Sequence, residues 1–90
     1  MGKNSANEIN VLLVDDHAVV REGYRRLLER SGNIAVIGEA DNAAQAYSLF
    51  CTLDPHIAVI DITLPGTSGI EAMRRMIAHR YGRWPQGRSI

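Results

Sequence analysis

Three carboxylates in this chain have the placement to do chemistry: Asp15, Asp16 and Asp61. Asp15 and Asp16 end the apolar run Val11-Leu12-Leu13-Val14, and Asp61 ends the run Ile57-Ala58-Val59-Ile60. Each run is short and rich in branched side chains, which reads as a buried strand rather than a helix. If the two strands lie parallel and adjacent, three acids meet at one edge of a sheet. Carboxylates that close repel one another, and such a cluster is kept for a hard cation or for unusual chemistry. A plainer alternative is that Asp15 and Asp16 cap the next helix, whose dipole favours acids at its start. The matching acid at the end of the second strand weighs against that alternative.

The elements that must position these acids follow from the apolar pattern. A strand over Ile9–Val14 precedes a helix from His17 to about Arg30, with Val20, Tyr24, Leu27 and Leu28 expected on its inward face. Ser31-Gly32-Asn33 ends that helix, with Gly32 suited to its C-terminal turn. Ile34–Ala40 alternates as a second strand. Asp41-Asn42 caps a second helix facing inward through Ala43, Ala46, Tyr47 and Phe50, and Asp54-Pro55 closes it. The strand Ile57–Asp61 follows, then a turn-rich loop from Leu64 to Gly69. Ser68 and Glu71 have capping-box spacing before a third helix with Ile70, Met73, Met76 and Ile77 on one side. Alternating strands and helices imply a parallel sheet with right-handed crossovers. Ligands of such sheets sit beyond the carboxyl ends of the strands, where the winding reverses. With strand one between strands two and three, that crevice is where the acids stand.

Composition narrows the classes. Ninety residues with 46% apolar content suit one small globular domain, expected over residues 9–90 behind a polar, disordered tail at 1–8. The net charge is zero, yet residues 1–60 carry −3 and residues 61–90 carry +3. Cys51 is the sole cysteine, so no internal disulfide forms, which suits a reducing cytoplasm; no apolar stretch is long enough to cross a bilayer. His17 is expected exposed at a helix start. His56 and His79 have no partner at metal-ligand spacing and read as surface residues, and Cys51 reads as a small packed hydrophobe.

Taken together, Val11-Leu12-Leu13-Val14-Asp15-Asp16-His17, Arg21-Glu22-Gly23, Asp61-Ile62-Thr63-Leu64-Pro65-Gly66 and Gly69-Ile70-Glu71 resemble the receiver domain of bacterial two-component response regulators. The Asp-Asp-His opening and the Arg-Glu-Gly of the first helix are most similar to the NarL/LuxR type, which usually carries a C-terminal helix-turn-helix. The likeness runs from about Ile9 to Met76. It implies an α/β, flavodoxin-like (CheY-like) doubly wound sheet, here three of five βα units in strand order 2-1-3. It also implies a phosphoryl acceptor rather than a turnover enzyme, acting in the cytoplasm. Asp61 would attack the phosphohistidine of a cognate histidine kinase. Mg²⁺ would be held by Asp16, by Asp15 partly through water, by Asp61 and by the backbone carbonyl of Thr63, in a loop shaped by Pro65 and Gly66.

The chain also departs from the family pattern. The tail from His79 to Ile90 resembles the loop into a fourth strand, and the family's switch Ser/Thr and its Lys have no counterpart. The one lysine is Lys3. A switch-defective fragment is therefore expected, with DNA reached only through an output domain that these 90 residues do not contain. The uncovered edge of strand three is expected to promote self-association. Three other classes stay in view. A haloacid-dehalogenase-type phosphatase needs a second Asp where Thr63 stands. A nucleic-acid stripe of Arg74, Arg75, Arg80, Arg83 and Arg88 with Tyr81 and Trp84 is explained with less by a helix end and a solvated loop. The last is a protein-interaction or dimerisation fragment that is not phosphorylated.

Overall fold

The computed structural model describes residues 8–61 and 69–81. Three strands, β1 (Ile9–Val14), β2 (Ile34–Ala40) and β3 (Ile57–Ile60), alternate with three helices, α1 (Ala18–Glu29), α2 (Ala43–Leu53) and α3 (Gly69–Arg80). The sheet is wholly parallel in the order β2-β1-β3, the order expected. Its central strand is the apolar run before Asp15. Val11, Leu12, Leu13 and Val14 are all buried, as a strand covered on both faces requires. The core forms on one side, where Leu12, Val14 and Ala40 pack with Ala46 and Phe50 of α2 and Met76 of α3.

Two local devices set the sheet. Ile37 is a bulged residue of β2, because the register runs Val11↔Val36 and then Leu12↔Gly38. The glycine after the bulge sits in a tight place: a Cβ there would lie 2.7 Å from Leu53 Cδ1 and 3.2 Å from Leu12 Cδ1, so these leucine side chains would have to shift. At α2, the Asn42 side chain accepts from the Gln45 N–H at 2.8 Å, and Asp54 takes the left-handed conformation at φ 50° to end the helix.

The inward faces of α1 and α3 differ from expectation. Val20, Tyr24 and Leu27 are 43%, 46% and 59% exposed, and α1 buries no residue. The helix instead turns Arg21 and Arg25 toward β2, where both pair with Glu39, and of the expected face Leu28 alone is half-buried. In α3 only Met76 of the expected stripe is buried, beside Ala72, while Ile70, Met73 and Ile77 stay exposed. Among the described residues, α3 packs chiefly on α2. Arg80 Nη2 donates to Asp54 Oδ1 at 2.8 Å and to the Pro55 carbonyl at 2.6 Å, with its guanidinium 4.8 Å from the Phe50 ring centre. His79 meets Tyr47 and Phe50 edge-on. Ser68, Pro65 and Gly66 lie outside the described residues.

Candidate functional site

The site is built from strand ends. Asp15 follows β1, and its N–H donates to the Ala40 carbonyl of β2 at 3.0 Å. On the other side, the Asp61 N–H donates to the Val14 carbonyl at 2.9 Å. The backbone of both acid-bearing tips is thus fixed by the sheet ladder itself, and a one-residue slip would send Asp61 to the other face. One donor atom from each of Asp15, Asp16, His17 and Asp61 lies within 4.8 Å of the others. Asp15 is buried, Asp61 half-buried and Asp16 at the surface. Of the four predicted ligands, the fold therefore brings three together. Thr63, the fourth, lies outside the described residues.

Asp15 shapes the turn as well as the cluster. Its Oδ1 accepts from the His17 N–H at 2.8 Å, a side-chain bond that opens α1 with His17 at the cap position. Asp15 does not cap the helix itself, since the cap residue His17 makes no side-chain cap bond and the first turn of α1 holds no acid. His17 joins the acids, which its expected place at the helix start did not foretell. Its ring is exposed, as expected, but Nδ1 lies 3.1 Å from Asp15 Oδ1 and 3.0 Å from Asp16 Oδ1. The only sequence signal was its adjacency to the two acids.

These contacts raise the His17 pKa above 6.5, chiefly through the hydrogen bond to Asp15 and then the charge of Asp16. Because the folded value is raised, the attraction is fully present below the unfolded value of about 6.5 and is lost as pH climbs through the folded one. In the metal-free protein, an NMR titration of His17 is expected to have a midpoint above 6.5 that falls in Asp15→Asn. An unmoved midpoint in that variant would mean that the ring does not engage the carboxylate in solution.

An all-oxygen set of three carboxylates with one open side fits a hard divalent cation that keeps part of its water shell. The imidazole nitrogen adds no requirement for a softer metal. A shallow cavity of about 250 Å³ lies beside the cluster, lined by Asp15, Asp61, Tyr24 and the ends of β1 and β3.

Acids at adjacent C-terminal tips of a doubly wound parallel sheet define a flavodoxin-like site at the switch point of the strand order. The model of the response regulator receiver domain matches residues 11–85, and the chain belongs to that family. It is 44% identical over 66 residues to the transcriptional regulatory protein YdfI of Bacillus subtilis (strain 168), and 36% identical over 66 residues to the nitrate/nitrite response regulator NarL of Escherichia coli (strain K12). Each alignment covers 73% of this chain and 31% of the relative, so the chain spans about a third of their length. Among solved structures, a LuxR-family two-component response regulator from Aurantimonas sp. SI85-9A1 superposes with a TM-score of 0.78 at 49% identity, covering 84% of this chain and 54% of that one. The response regulator domain of Thermotoga maritima CheB gives 0.74 at 30% identity, covering 80% of this chain and 53% of that one. The match is thus to the NarL/LuxR type of receiver, on an incomplete flavodoxin-like sheet.

Proposed function

We propose that this chain is the phosphoacceptor part of a two-component response regulator, taking a phosphoryl group from a cognate histidine kinase onto Asp61 with Mg²⁺ bound beside it. The convergence of Asp15, Asp16 and Asp61 at neighbouring strand tips carries this reading. An Asp61 carboxylate oxygen attacks phosphorus and a P–O bond forms. The P–N bond to the kinase histidine breaks, and its electron pair stays with the imidazole, which leaves neutral from its protonated form. The product is an acyl phosphate. Such a transfer asks chiefly for alignment and for neutralisation of the phosphoryl oxygens. Asp15, Asp16, Asp61 and the Thr63 carbonyl would hold Mg²⁺, which would supply that neutralisation of charge. The fixed backbone of the two tips supplies alignment.

Mass spectrometry after incubation with a phosphorylated histidine kinase tests the reading, through a phosphoryl adduct on the peptide containing Asp61. The 90 residues carry no lysine but Lys3, so little of the acyl phosphate is expected to accumulate on this polypeptide alone and its switching is expected to be defective. Any contact with DNA belongs to a longer regulator. No helix among the described residues is long and apolar enough to cross a membrane, and a cytoplasmic setting agrees with the family.

A second reading rests on the rim of the sheet. Among the described residues β3 is an edge strand, with Ile57 47% exposed, and an apolar groove of about 390 Å³ runs beside it between Ala58, Ile60, Met73, Ile77 and Tyr81. A strand edge of this kind can template strand addition, and the partner in this reading is a second copy of the chain. Light scattering on a size-exclusion column at micromolar concentration is expected to give a dimer or larger species. A compact monomer that unfolds cooperatively would remove this reading and leave the phosphoacceptor one untouched.

A further inference from the structure

α1 is located by charge more than by apolar burial, since none of its side chains is buried. Arg21 is the nearest member of that charged ladder to the acidic tips. Its Nη1 donates to the Asp15 backbone carbonyl at 2.7 Å and its Nε to Glu39 Oε1 at 3.0 Å. The other Glu39 oxygen lies 3.0 Å from Arg25 Nε, an ion pair by distance though not aligned as a hydrogen bond. Arg25 also approaches Glu22 and Glu29 at 3.5 and 3.8 Å, and Glu29 Oε2 accepts from the Val36 N–H at 3.0 Å. The ladder thus fastens α1 along β2 and ends on the turn that carries Asp15, Asp16 and His17. With only 19% of its side chain exposed, Arg21 makes both bonds partly shielded from water. Its planar fork suits two acceptors at once, which an ammonium group does not.

We infer that Arg21 is a positioning residue for the acidic site: by gripping the Asp15 carbonyl and Glu39 together, it sets the β1–α1 turn so that Asp15 and Asp16 stand where they can share a divalent cation with Asp61. This rests on the Mg²⁺ reading above. Metal ligands tolerate only about 0.5 Å of misplacement, and a shift of the Asp15 carbonyl carries its own side chain and that of Asp16 with it. Charge alone predicts the opposite outcome. Arg21 is a cation beside a cation site, so its removal should tighten Mg²⁺ binding if Coulomb repulsion is its main effect. Positioning predicts weaker binding. The sign of the change separates the two.

The test is an NMR titration of the full chain with Mg²⁺, reading the amides of Asp15, Asp16 and Asp61, in wild type, Arg21→Gln and Arg21→Lys, with thermal unfolding of each. Loss of a group that holds metal ligands in place typically weakens binding by about 10–100-fold, and the lower end is expected for Arg21→Gln. Arg21→Lys should fall between it and wild type, since lysine keeps the charge and reaches one acceptor. Equal or tighter Mg²⁺ binding in Arg21→Gln, with only the melting temperature lowered, overturns the inference. Should Arg21→Gln not fold, Arg21→Lys decides it: weaker binding supports positioning, and unchanged binding overturns it. Wild-type protein whose three acids do not respond to Mg²⁺ removes the metal reading and this inference together. Normal wild-type binding that both variants leave unmoved removes this inference alone.

Discussion

Asp61→Asn is expected to abolish phosphoryl uptake completely while leaving the fold intact. The side chain is half-buried and the amide matches the carboxylate in size. The backbone bond from the Asp61 N–H to the Val14 carbonyl does not involve the side chain, so the β1–β3 ladder survives the change. What is lost is the nucleophile, because an amide has no anionic oxygen to attack phosphorus. Mg²⁺ binding should weaken as well, by about tenfold or more, since even second-shell substitutions cost metal sites about 10–100-fold. Stability should hold or rise slightly in metal-free solution, because one of three neighbouring like charges is gone. Mass spectrometry after exposure to a phosphorylated kinase, a Mg²⁺ titration and a melting curve check the three in turn. An adduct that persists in a folded Asp61→Asn protein would place the acceptor elsewhere.

Leu12→Ala is the substitution expected to cost most in stability. Leu12 is fully buried at the centre of the middle strand, paired with Gly38 on one side and Ala58 on the other. It belongs to the cluster that also holds Phe50 of α2 and Met76 of α3, so its truncation opens a gap between the sheet and the helix layer. Leu→Ala changes at such sites cost about 2–5 kcal/mol. A small domain has only about 5–15 kcal/mol in hand, and one of this size sits toward the lower end. Much of the protein should therefore be unfolded, or unfold at a much lower urea midpoint. A loss below about 1 kcal/mol would mean that the core is not packed around Leu12. Because the acids sit at the tip of the same strand, their response to Mg²⁺ should fail in step with unfolding.

The two substitutions separate chemistry from support. Asp61 lies at the end of the sheet and its replacement leaves the ladder alone, whereas Leu12 lies inside the sheet and touches no acid directly. A chain in which the first removes phosphoryl uptake and the second removes the fold is built as the family likeness implies. The Arg21 ladder falls between them, since it contributes to both the seat of α1 and the place of the acids.

The sequence by itself determined the elements and most of the site. Strands at Ile9–Val14 and Ile34–Ala40, a third read as Ile57–Asp61 and found to end at Ile60, the cap at Asn42 and the inward face of α2 were all legible, because short-range pattern and capping chemistry are local. So were Asp15, Asp16 and Asp61, since an acid at the tip of an apolar strand is visible without a partner. Only the tertiary structure decided what met what. The apolar stripe of Val20, Tyr24 and Leu27 looked like an inward face, yet Glu39 draws Arg21 and Arg25 inward from a strand 18 and 14 residues downstream. Ile70, Met73 and Ile77 likewise read as core, yet Ile70 is exposed and Met73 and Ile77 line an open groove beside β3. The bulge at Ile37 and the reach of the His17 ring toward both acids had no clear local signature either. Periodicity tells which side chains share a face, but the face that wins depends on charges and neighbours supplied from far along the chain.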